Sequence, residues 1–127
     1  MVKDKVINIL EEITGSQGFV NIDKNDIDEF KANVEVIDAE KVSCKIEEIG
    51  MVLYNAISSI RKKNDDKQMR KLLFVIRVSK ESHFMEYICD VHEVIDTLEE
   101  RTECRWGLST IDKLSNNQLE LSIAIGF

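Results

Sequence analysis

The chain has 127 residues, 43% of them hydrophobic and 32% charged, and a formal net charge of −7 at pH 7. That length suits one domain burying roughly two-thirds of its unfolded surface without a metal or disulfide staple; no apolar run approaches the ~20 residues that cross a bilayer, and the acidic balance disfavours nucleic acid, whose phosphates call for lysine and arginine. The N-terminus lacks a signal-peptide core, and Cys44, Cys89 and Cys104 are odd in number and widely spaced, so the chain reads as cytoplasmic, with reduced, mostly buried thiols.

Val2, Val6, Ile9, Leu10 and Ile13 recur at helical spacing and predict an amphipathic helix over 3–14, ended by Gly15 and Gly18. Asp23 is placed to cap a second short helix, 24–32. Val34–Ile37 is a short strand candidate. Ile46, Ile49, Leu53, Ile57 and Ile60 mark one face of a long helix over 43–63. The polar stretch 62–68 is a connection, and its Arg61-Lys62-Lys63 and Lys67–Lys71 charges read as a solvated face rather than an anion site. Leu72–Val78 is a continuous apolar run, as in a strand covered on both faces. Phe84, Ile88, Val91, Ile95 and Leu98 predict a further helix, and 103–111 a strand. Ser115-Asn116-Asn117 is a turn, after which Leu119, Leu121, Ile123 and Ile125 alternate with small or polar residues in a half-buried strand, expected to form a hairpin with the strand before it. The order α-α-β-α-β-α-β-β predicts a two-layer α+β arrangement within the α/β class. It comprises a mixed four-stranded sheet with packed helices and right-handed strand–helix–strand crossovers.

The densest polar segment runs from Gly18 to Ile27. Asn21, Asp23 and Asp26 can project together from a loop and a first helical turn, where such a group could polarise a water or hold a cation. The competing reading is structural, since acidic residues at a helix start satisfy free amides and the helix dipole. An EF-hand is excluded: it needs Gly sixth and Glu twelfth, and those positions hold Asp26 and Ala32 counted from Asn21, or Asp28 and Val34 counted from Asp23. Cys89 and His92, three apart, lack a second ligand pair. His83 reads as a surface residue, and Trp106 as a packing residue.

Gly18, Asn21, Asp23 and Asp26 have the spacing Gly-x-x-Asn-x-Asp-x-x-Asp after a helix, with apolar Val20, Ile22 and Ile27 around them. This resembles the acidic synergy loop of the FtsZ/tubulin superfamily. Ala56-Ile57-Ser58-Ser59 at the end of a helix, Leu72–Ile76, Trp106-Gly107 with Asp112 following, and the ending Ile123-Ala124-Ile125-Gly126-Phe127 are similar to later segments of the same family's C-terminal domain. The order agrees from about residue 5 to 127. The resemblance implies a single domain over 1–127. Residues 3–14 would be the end of the family's central helix and 15–26 the acidic loop. A separate nucleotide-binding domain is not included.

The resemblance further implies that Asp23 and Asp26 act as water-activating acids and that Asn21 helps to position water, nucleotide or cation, all at the GTP site of a neighbouring subunit in a head-to-tail filament. The five glycines are scattered and form no phosphate-binding loop, so GTP and Mg would be held by the partner and the chain would be no enzyme alone. The expected partners are FtsZ-like GTPase subunits or the missing N-terminal domain, with neither nucleic acid nor membrane contacted directly. Val6, Ile9 and Ile13 would face that absent domain or a second copy of the chain. Whether the chain is an excised domain or a free-standing derivative stays open. The alternatives are a non-catalytic interaction or filament-capping module and a small-molecule-binding α/β domain.

Overall fold

The computed structural model describes residues 4–15 and 22–127. Its elements are α1 (Asp4–Gly15), α2 (Lys24–Lys31), β1 (Ile37–Lys45), α3 (Ile49–Lys63), β2 (Lys71–Val78), α4 (Ile88–Asp96), β3 (Glu103–Thr110) and β4 (Gln118–Gly126), with single 3-10 turns leading into α3 and α4. The four strands form one mixed sheet in the order β1-β4-β2-β3. β4 runs antiparallel to both its neighbours, and β2 and β3 are parallel. The predicted α+β architecture and the order of elements are therefore present.

Alternation along β2 divides the helices between the faces of the sheet. Leu73 and Val75 join Ala39 and Ala124 under Val6, Ile9, Leu10 and Ile13 of α1 and Ile27 and Phe30 of α2. Leu72, Phe74, Ile76 and Val78 face the other way, onto Ile49, Leu53, Ile57 and Ile60 of α3 and Val91 and Val94 of α4. With helices on both sides, β2 is buried along nearly its whole length, as its apolar run predicts. Trp106 stacks on Phe74 with ring centroids 5.5 Å apart, which makes it a packing residue.

Several expectations are corrected. Residues 43–45 are not the start of a helix: β1 runs through Lys45, α3 begins at Ile49, and Val34–Val36 precede the strand. β1 is an edge strand with one neighbour, so it tolerates Asp38 and Glu40 at half-buried positions and Lys41 and Lys45 at exposed ones, and its hydrophobic alternation is diluted below recognition. β3 and β4 do not form a hairpin. The chain carries β4 past β2 into the middle of the sheet, and β3 pairs with β2 alone. Finally, Val6, Ile9 and Ile13 are not an exposed patch awaiting another domain. They are 1%, 5% and 0% exposed, because α1 lies across β1 and β4 of its own sheet. That removes the ground for self-association through those side chains. Of the thiols, Cys89 is exposed, while Cys44 and Cys104 are half-buried. Burial pushes both of the latter up to about 11, with Glu48 adding to the effect at Cys44.

Candidate functional site

Asp23 and Asp26 start α2, and the local sequence explains why. The Asp23 carboxylate (Oδ1) accepts the Asp26 amide at 2.9 Å, and the Asp26 carboxylate (Oδ2) accepts the Asp23 amide at 3.0 Å, a reciprocal capping box. Ile22 before the cap and Ile27 in the first turn are both buried in the same cluster, the positions of a hydrophobic staple. At the far end, Asn33 adopts φ 61°, a left-handed conformation that asparagine tolerates, just after the last helical turn. The expected cap at Asp23 is thus present, and the structural role of both acids is realised in full.

The sheet adds two basic side chains that the local sequence does not announce. Arg105 of β3 forms an ion pair with Asp26 (Nη1 to Oδ1 at 3.1 Å) and donates from Nη2 to Glu29 Oε2 at 3.4 Å. Lys71 of β2 donates to the backbone carbonyls of Glu29 and Ala32, the latter at 2.7 Å, and so neutralises the C-terminal end of α2. Together with Phe30, Leu73 and Cys104, these groups line a cleft of about 330 Å³ between α2 and the β2–β3 edge. At the end of α1, the buried Arg77 of β2 donates to the Glu12 carbonyl at 2.9 Å and to Ser122 Oγ at 2.8 Å. Burial lowers the Arg77 pKa from its usual value, opposed by the nearby Glu12 and Glu120 carboxylates.

The two predicted acids are therefore brought together but differ in availability. Asp23 is exposed, whereas Asp26 is ion-paired and only 15% of its side chain is exposed. Asn21, Gly18 and Val20 lie outside the described residues. Among the described residues no three His, Cys, Asp or Glu side chains gather as a metal site, and no helix is long and apolar enough to cross a membrane. Of the basic residues around the α3–β2 connection, Lys63 pairs with Glu40, Lys67 with Asp66, and Lys71 holds α2. His92 meets the edge of Trp106 at 6.0 Å. Sequence reasoning missed Arg105, Arg77 and Lys71 because each acts on these partners from at least 39 residues away, and no local spacing records that.

No protein-family model matches the chain, and no curated protein sequence matches it. Solved structures do. An FtsZ dimer from M. jannaschii superposes with a TM-score of 0.67 at 15% identity, over 97% of this chain and 36% of that one. The fold is that of an FtsZ/tubulin C-terminal domain. TubZ of Bacillus thuringiensis serovar israelensis, solved as GDP-form protofilaments, agrees with a TM-score of 0.64 at 13% identity, over 95% of this chain and 36% of that one. The chain thus spans about a third of the length of the FtsZ and TubZ chains it matches. E. coli HypE, a hydrogenase maturation protein, shares the layout more loosely, with a TM-score of 0.52 at 9% identity, over 98% of this chain and 43% of that one. The FtsZ-like fold therefore fixes an architecture that proteins with other tasks also use, and function rests on the site.

Proposed function

We propose that this FtsZ-like domain is the activating half of a shared GTPase site in a head-to-tail cytoskeletal filament of the cell-division type. The observation that carries the proposal is the exposed Asp23 carboxylate, fixed by a capping box at the first turn after α1, in a chain whose fold follows FtsZ over 97% of its length. Asp23 would accept a hydrogen bond from a water held near the γ-phosphate of GTP on the neighbouring subunit, which would also hold the Mg ion. Asp26 would support it, and Asn21 would supply an amide for the water, nucleotide or cation. Phosphoryl transfer asks mainly for positioning and charge stabilisation, so a carboxylate donated from a second subunit is enough to raise turnover.

A second reading has its own support. Both acids already satisfy a helix start, so the domain could dock on a filament end and cap it without chemistry. The test is GTP turnover by an intact FtsZ-family protein titrated with this chain, alongside sedimentation and filament length. Asp23→Asn keeps a capping acceptor while removing the charge. An activator loses its effect on turnover with this variant, whereas a cap still changes filament length. If turnover, sedimentation and length all stay constant at every concentration, both readings fail.

A further inference from the structure

We infer that Arg105 is a positioning residue that gives the two acids different tasks: it holds Asp26 as a fixed support and leaves Asp23 as the carboxylate offered to the partner. The inference rests on the activating role proposed above and extends it to a residue outside the acidic segment. Both oxygens of Asp26 are occupied, Oδ2 by the Asp23 amide at 3.0 Å and Oδ1 by Arg105 at 3.1 Å. At Asp23, among the described residues, Oδ1 alone is engaged, by the Asp26 amide at 2.9 Å, and the residue is exposed. A general base or water-orienting acid needs a free lone pair facing the substrate; among the described residues Asp23 keeps one oxygen without any partner, whereas each oxygen of Asp26 already has one.

Arg105 is suited to this task by where it stands. It lies on β3 in register with Leu73 of β2, on the face that α1 and α2 cover. Its fork reaches Asp26 and Glu29, one helical turn apart, and so fixes the rotation of α2 about its own axis. Four register positions along the same pair of strands, Arg77 opposite Ser109 holds the last turn of α1. The residues on either side of the acidic segment are thus tied to neighbouring strands by two guanidinium groups, so the sheet, and not α2 alone, sets the direction in which Asp23 points. The Arg105 side chain is 59% exposed. Such a pair adds little to stability, so its loss would be felt in geometry while the fold survives.

The experiment uses the whole chain in the turnover assay, comparing Asp23→Asn, Asp26→Asn, Arg105→Gln, Arg105→Lys and the Asp26→Asn/Arg105→Gln pair, with amide hydrogen exchange on each. Asp23→Asn should lose more than about tenfold of the stimulation. Asp26→Asn and Arg105→Gln should each lose less. Their double variant should be no worse than the larger single effect, as expected for two residues acting through one contact. The loss in Arg105→Gln should fall on maximal turnover, with the titration midpoint unchanged and partial recovery in Arg105→Lys, while its Asp23 amide exchanges faster. Equal loss in both Asp variants together with a wild-type Arg105→Gln overturns the division of tasks. Unchanged Asp23 exchange in Arg105→Gln overturns the clamp. A wild-type chain that leaves turnover unaltered overturns the activating role and this inference with it, a result distinct from the other two.

Discussion

Glu40 shows how much one side chain does at the rim of the sheet. From the edge strand β1 it accepts from Lys5 of α1 at 3.0 Å and from Lys63 of α3 at 2.9 Å, joining the helices of both faces. The hydrogen bond from Lys63 is the main cause holding its carboxyl below the usual 4.5. Partial burial works against it, and Lys5 reinforces it. A depressed folded-state pKa means that the stabilisation is complete above the unfolded value of 4.5 and is lost as pH falls through the lower folded value. Glu40→Gln should therefore melt below wild type at neutral pH, and the gap should close as thermal melts are taken to progressively lower pH below 4.5. A gap that is constant across that range would show that the carboxylate charge contributes nothing. None of this is legible locally, since residues 40 and 63 lie in different elements and the sequence pattern places Glu40 in none.

At the scale of elements, α1 is the informative case. Its apolar stripe at Val6, Ile9, Leu10 and Ile13 is plain in the sequence, but a stripe says only that one face must be covered, not by what. Here its own sheet covers it, and Ile13 is 0% exposed. Ile13→Ala should cost about 2–5 kcal/mol, as large-to-small changes in packed cores do, measured by denaturant unfolding; a cost within about 0.5 kcal/mol, typical of surface positions, would mean that α1 does not dock on the sheet. The start of α3 departs from the helical spacing for a related reason. The spacing Ile46, Ile49, Leu53 is real, yet Ile46 belongs to a 3-10 turn, and the residues before it pair with β4 in a strand whose exposed charges mask its alternation. By contrast, α2 was legible to within a residue because its signals, an acid at the cap and apolar residues on either side of the first turn, are local.

For the molecule as a whole, β2 and β4 carry both cores. Leu73, Val75 and Ala124 belong to the cluster under α1 and α2, while Leu72, Phe74, Leu121 and Ile123 belong to the one under α3 and α4. Neither core can come apart without exposing strands that the other needs, so unfolding should be a single transition. Trp106 fluorescence, which reports the α3–α4 side, and far-UV circular dichroism should give coincident curves; separated midpoints would mean that the faces unfold independently. The sequence by itself determined the order of the elements, the burial of β2 and the capped start of α2, because periodicity and capping act over a few residues. Only the tertiary structure decided that β4 sits between β1 and β2, that α1 is covered by its own sheet, and that Arg105 grips Asp26 from 79 positions away. Those choices depend on contacts between distant segments, and their free energy appears only once the chain has closed on itself.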